Sequence, residues 1–253
     1  MTSRVAVFDL DRTITRYGTW SPFLLFAARW RAPWRFALIP VILVAMGGYK
    51  LHLLSRARLK EIMHAAMIGH RISETNMATL AKQFADHVMA TNVYPEALAL
   101  IQAEQRSGRK VIIATASFQF YADALAERFG VGAVVATQSR RDRNWLTNRI
   151  SGQNCYGLTK RQMVDDYFRL HGLDRSQMHI RFYSDDLSDL PTFAWADEPV
   201  AVNPSRKLAW HAMRNGWSIL DWRQKDLRTK NPSRASSRPD DVPIKVVSLR
   251  ASR

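Results

Sequence analysis

Short apolar runs and amphipathic stretches alternate along the chain, and the pattern changes character near its middle. Residues 4–8 are β-branched and aromatic after Arg4, which predicts a short buried strand. After Asp11-Arg12-Thr13 no strand alternation follows until Lys110. Two apolar pieces, residues 19–28 and 36–49, are separated by Arg29, Arg31, Pro33 and Arg35. Residues 51–69 have the spacing of an amphipathic basic helix. Ser73 predicts the N-cap of a helix running to about Thr91. Pro95 suits the start of the next helix and Gly108 its end.

From Lys110 the rhythm becomes strand, helix, strand. Strands are expected at 111–114, 134–137, 179–183, 200–202 and 217–220, and residues 144–150 suit one arm of a hairpin. Helices are expected at 117–129, 159–171, 187–196 and 205–215, the first and second closed by Gly130 and Gly172. Such alternation predicts an α/β fold: a doubly wound, mostly parallel, Rossmann-like sheet with helices on both faces. The strand-free insertion predicts an all-helical cap. The expected division is residues 1–15 plus 108–222 as catalytic core, 16–107 as cap, and 223–253 as a basic, disordered tail. No internal repeat is present.

Charge sharpens this division. The chain of 253 residues has a formal net charge of +15. Between Asp11 and Glu61 there are nine basic residues and no acidic one, and from Arg223 onward nine basic against three acidic. The remaining body is neutral. A hydrophobic fraction of 47% excludes wholesale disorder. The single cysteine, Cys155, excludes an intrachain disulfide and a multi-cysteine zinc cluster. The N-terminus has a short apolar run ending in two aspartates, unlike a signal peptide, so a cytoplasmic location is expected.

Residues 36–48 are 13 uncharged positions. As a helix they would reach about 20 Å, against roughly 30 Å of hydrocarbon. Pro40 and Gly47-Gly48 interrupt them further. A spanning helix is therefore not expected. A buried cap helix or an interfacial segment at the inner face of the cell membrane fits better. Trp20, Trp30 and Trp34 beside Arg29, Arg31 and Arg35 suit an anionic membrane interface; the plain alternative is a cap core with a solvated basic rim.

The candidate chemistry lies at strand ends, where open α/β sheets bind ligands. Asp9 and Asp11 follow the first strand, spaced so that one carboxylate can attack while the other handles a proton. Thr115 closes a strand, and its hydroxyl can bond a phosphate oxygen. Ser117 reads as the N-cap of the next helix. Lys160 sits near a helix start, where the dipole does not favour a cation; a phosphate explains it better than solvent does. Asp185, Asp186 and Asp189 cluster after another strand and repel one another unless a cation neutralises them, and Mg²⁺ suits such a set. His52, His64 and His70 lack metal spacing and read as surface or cap-packing residues. Cys155 reads as a small buried residue.

The order Asp-x-Asp-x-Thr, strand-end Thr, Lys, then Asp-x-x-x-Asp resembles the haloacid dehalogenase-like phosphatases. Asn154-Cys155-Tyr156-Gly157-Leu158-Thr159-Lys160 and Tyr183-Ser184-Asp185-Asp186-Leu187-Ser188-Asp189 resemble the branch near phosphoserine phosphatase, subfamily IB. The start of the cap is similar to that of the phosphatidylglycerophosphatase C group. The resemblance implies Asp9 as nucleophile forming an aspartyl-phosphate, and Asp11 as general acid and base. It implies Thr13 as a loop-orienting residue and Thr115 and Lys160 as phosphate-binding residues. It implies Mg²⁺ as cofactor at Asp9, Asp11, Asp185 and Asp189. Asp189 either completes the metal shell or orients Lys160, and Asp186 competes with it for the metal role. Arg12 stands where glycine is common, and Gly18 where phosphoserine phosphatases carry a substrate-reading Glu, which tells against phosphoserine.

Three functions compete. The first is a Mg²⁺-dependent phosphomonoesterase acting on a lipid phosphate, such as phosphatidylglycerophosphate, peripheral or monotopic at the cytoplasmic membrane face. The second is the same chemistry on a soluble metabolite. A basic nucleic-acid-binding protein ranks last, because the excess charge lies on an apolar cap and a tail, with no binding module evident. No nucleic acid and no protein partner is expected.

Overall fold

The computed structural model describes residues 3–223. In chain order it begins with β1 (Ser3–Phe8), α1 (Trp20–Arg31), a 3₁₀ turn (Pro33–Leu38), α2 (Ile39–Lys50) and α3 (Arg56–Met67). There follow β2 (Arg71–Ser73), α4 (Glu74–Thr91), α5 (Pro95–Arg106), β3 (Lys110–Phe118), α6 (Gln119–Arg128), β4 (Val134–Asp142) and β5 (Trp145–Ser151). The last elements are α7 (Leu158–Leu170), β6 (Met178–Ser184), α8 (Leu190–Trp195), β7 (Glu198–Val202), α9 (Arg206–Arg214) and β8 (Ser218–Leu220). The tail expected from residue 223 lies, but for Arg223, outside the described residues.

The strands form one sheet in the order β2-β5-β4-β3-β1-β6-β7-β8. From β4 through β8 neighbouring strands are parallel, and β5 pairs antiparallel with β4. The unbroken apolar run of β1 from Val5 to Phe8 follows from its central place: Val5 and Val7 pack on one face, Ala6 and Phe8 on the other. α5 and α6 cover one face through Ile101 and Leu125, and α7, α8 and α9 the other through Phe168, Phe193 and Leu208. The chain runs outward from β1 to β3 and β4, then returns to β6 on its other side. The switch point therefore falls at the carboxyl ends of β1, β3 and β6.

The cap inserted between β1 and β3 is helical apart from β2. This three-residue strand pairs antiparallel with β5, and the Arg71 guanidinium lies 5.2 Å from the Trp145 ring centre. Only Ile72 of β2 is fully buried, too little to announce a strand by alternation. Ser73 caps α4 as expected, accepting from the amide of Asn76, and Ser205 caps α9, accepting from that of Leu208. The basic helix starts later than expected, at Arg56, because Ser55 accepts the Arg58 amide and caps it there. The apolar stretch 36–49 breaks into the 3₁₀ turn and α2, with Pro40 in the first turn of α2, where its missing N–H costs nothing. Among the described residues no helix is long and apolar enough to cross a membrane.

Candidate active site

Strand pairing carries Asp9 into the switch point: its amide donates to the Tyr183 carbonyl at 2.8 Å, one residue past β1. Opposite it stands α7. Gly157, at φ +60°, makes the left-handed turn that starts this helix, and a Cβ there would lie 3.6 Å from the Ser188 carbonyl. The turn directs Lys160 inward, where it is buried. Its Nζ donates to Asp9 Oδ1 at 2.7 Å and to Asp189 Oδ2 at 2.5 Å. Burial alone would lower the proton affinity of Lys160, but Asp189 and Asp9 outweigh it and raise it. Ser184 Oγ donates to the same Asp189 oxygen at 2.7 Å. Asp189 thus orients Lys160, while Asp186 accepts the Ser188 amide at 2.8 Å and caps the turn Leu187–Asp189.

Asp185 sits beside Thr13, whose Oγ1 accepts the Asp185 amide at 3.1 Å. Thr13 therefore ties the loop after β1 to the loop after β6. Arg12, between the two, adopts φ +64°, which accounts for the glycine common at that place; its carbonyl accepts from Asn203 Nδ2.

Thr115 lies in β3 just before a bulge. Pairing with β4 jumps from Thr115 to Phe118, which pushes Ala116 and Ser117 out of register. The Ser117 amide donates to Thr115 Oγ1 at 3.0 Å. Ser117 is not the expected N-cap: α6 begins at Gln119 with no side-chain cap. Instead Ser117 Oγ donates to Asp11 Oδ2 at 2.8 Å and accepts from the Tyr121 hydroxyl at 2.6 Å. Asp11 Oδ1 accepts the amide and hydroxyl of Thr19 at 2.6 and 2.7 Å. Both oxygens of Asp11 are thus held, one by Thr19 at the start of α1 and the other by Ser117 in the bulge of β3.

This divides the four carboxylates expected at a metal. Asp9 and Asp189 share Lys160, and Asp185 lies by Thr13. The Asp11 carboxylate accepts from the hydroxyls of Thr19 and Ser117. Among the described residues no three acidic, histidine or cysteine side chains are grouped closely enough to enclose an ion. The donor chemistry nonetheless fits Mg²⁺. Asp9 and Asp189 share the one Lys160 ammonium, and Asp185, which the Arg12 and Lys160 charges only partly oppose, adds a third carboxylate. Burial, then Asp186, pushes Asp185 up to about 7, and burial raises Asp9 against the pull of Lys160. Asp189 Oδ1 is buried without a hydrogen-bond partner. A hard dication beside Asp9 and Asp185 would offset that charge.

Ser117, Thr19 and Tyr121 escaped the sequence reading, as did Lys60. Lys60 reaches from α3 to the Ala116 carbonyl and to Asn154 Oδ1, tying the cap to the loops that carry Thr115 and Lys160. An isolated lysine on an apolar helix face is the one signal that could have marked it. Cys155 is buried, as expected, and burial pushes its thiol up to about 12. His64 packs inside the cap region while His52 and His70 are exposed.

Known proteins resemble this chain in sequence and in fold. The inhibition of morphological differentiation protein of Streptomyces azureus is 33% identical over 131 residues, covering 51% of this chain and 46% of that protein. The match thus spans about half the length of that relative. The histidinol-phosphatase of Neisseria meningitidis serogroup C is 23% identical over 165 residues, 60% of this chain and 70% of that one. Among solved structures, a protein of unknown function from Bordetella pertussis Tohama I superposes with a TM-score of 0.80 at 26% identity, covering 87% of this chain and 99% of that one. A probable phosphoserine phosphatase from Vibrio cholerae superposes with a TM-score of 0.59 at 16% identity, covering 81% and 58%. That last likeness concerns the fold alone. Residues 6–194, from β1 past the turn holding Asp189, match the haloacid dehalogenase-like hydrolase family. On that span this chain belongs to the haloacid dehalogenase-like hydrolases.

Proposed function

We propose that the chain is a phosphoric monoester hydrolase working through an aspartyl-phosphate on Asp9. The observation that carries this reading is the buried Lys160 ammonium shared by Asp9 and Asp189 at a sheet switch point. In this reading an Asp9 oxygen attacks phosphorus as the ester oxygen leaves. Asp11 protonates that leaving oxygen and later takes a proton from the water that hydrolyses the phosphoenzyme. The Thr115 hydroxyl and the Lys160 ammonium hold the non-bridging oxygens, with Asp189 fixing Lys160. Asp11 is held by Thr19 at the start of α1, where a leaving group covered by that helix would lie. Burial, then Asp11, raises the Tyr121 phenol, so Tyr121 remains a donor to Ser117 at neutral pH. Bound between Asp9 and Asp185, Mg²⁺ would supply positive charge to the phosphoryl group during transfer.

A small phosphate ester is the substrate class supported first, by the relative that is a histidinol-phosphatase. A lipid phosphate such as phosphatidylglycerophosphate is the second reading, supported by the apolar outer side of α2. A phosphate-release screen separates them: histidinol phosphate, phosphoserine and sugar phosphates beside phosphatidylglycerophosphate in detergent. We expect release from at least one ester, falling about 100-fold on chelation and returning with added Mg²⁺. No release from any ester with Mg²⁺ present would overturn the reading.

A further inference from the structure

The outer side of α2 bears an apolar surface with no partner in the fold. α2 is apolar nearly all round, a composition ordinarily found in a buried helix. Here only Ile42 and Ala45 are buried. Val44 and Leu53 are each 76% exposed, and Trp30 and Trp34 are 66% and 65% exposed. The surface is held in place: Arg35 turns inward, donating to the carbonyls of Ala65 and Ala66 on α3 and stacking 4.8 Å from the Trp34 ring centre. An apolar patch so presented is rarely left bare on a soluble molecule.

Its surroundings select the partner. Arg29, Arg31 and Lys50 border the patch and are exposed, and no acidic residue occurs between Asp11 and Glu61. A second copy of the chain would set this basic rim against itself. An acidic, lipidic surface would meet both the charge and the apolar side chains. The two exposed tryptophans suit the boundary between headgroups and acyl chains. Since no described helix can cross a bilayer, the segment would lie in the plane of the surface.

We propose that α1, α2, the turn between them and the segment following α2 form a docking surface for anionic lipid, with Val44, Leu53, Trp30 and Trp34 entering the headgroup layer. This surface is independent of the catalytic reading, and its test makes no use of activity. The full chain is sedimented with vesicles of phosphatidylcholine alone and of phosphatidylcholine mixed with phosphatidylglycerol. We expect binding only to the mixed vesicles, weakened by salt, and reduced about tenfold or more in the double variant Val44→Asp, Leu53→Asp. Both positions are solvent-facing, and an unchanged thermal melt shows that the variant folds. The basic residues beyond Arg223 are intact in that variant. Undiminished vesicle binding by it would therefore place the contact elsewhere and overturn the proposal. Failure of the parent chain to bind mixed vesicles, or equal binding to both kinds, would overturn it as well. So would a dimer in solution, abolished by the same substitutions, from a parent that ignores vesicles.

Discussion

Asp9→Asn will lower phosphate release by about 10⁴-fold or more while leaving the protein folded. The side chain keeps its size and one oxygen for the Lys160 hydrogen bond, so the local frame survives. What disappears is the carboxylate that attacks phosphorus. The charge itself is not what stabilises the fold at this point. Burial, with the added repulsion of Asp189 and Asp185, already raises Asp9 above an ordinary carboxylate, and Lys160 only opposes that trend. Removing a charge from such a place relieves repulsion as well as losing an ion pair, and the two effects oppose each other. Single-turnover phosphate release beside a thermal melt checks both halves. A variant that turns over at even a tenth of the parent rate, approximately, would exclude Asp9 as nucleophile. A variant that unfolds would make Asp9 a structural residue instead.

How much of this was legible beforehand depends on sequence separation. Ser73 announces α4 because a cap is a local device: hydroxyl, three residues, amide. The central strand β1 is legible because burial on both faces demands an unbroken apolar run. β2 was invisible, since it exists only by pairing with β5, more than seventy positions away. The same holds in the site. Asp9, Asp11, Thr115, Lys160, Asp185 and Asp189 could be picked out as chemically apt residues at the ends of elements. Their partition could not. Ser117 reads as a helix cap in the sequence because the bulge that turns it onto Asp11 arises from the shifted register between β3 and β4. Thr19 reads as the start of an apolar segment, yet its amide and hydroxyl hold the acid–base candidate. Charge partition, by contrast, was legible from composition, and the structure divides the early basic excess: Arg29, Arg31 and Lys50 are exposed near the apolar side of α2, while Arg12 lies near Asp185 and Lys60 near Asp11.

Lys160→Met will affect stability more than any other single change at the site. The ammonium is the only buried cation between Asp9 and Asp189, at 2.7 and 2.5 Å. Methionine fills a similar volume and leaves two carboxylates facing each other without it. Breaking a buried pair from one side costs about 3–5 kcal/mol, because the remaining charge is left without compensation. For a chain of this size that corresponds to a fall of roughly 10 °C in melting temperature, measured in chelator. The double variant Lys160→Met, Asp189→Asn removes one of the two stranded carboxylates along with the cation, and Asp9, which burial already holds above the ordinary carboxylate range, can take up a proton, so most of the loss should be recovered. Phosphate release should not recover, since the phosphoryl oxygens still lack their ammonium. That split separates two roles that a single substitution confounds: Lys160 as counter-ion to Asp189, and Lys160 as ligand of the transferring group. Recovery of activity along with stability would reduce Lys160 to a scaffold. If instead Lys160→Met melts within about 2 °C of the parent, the two carboxylates are already neutralised by protonation, and the ion pair drawn here does not hold this site together.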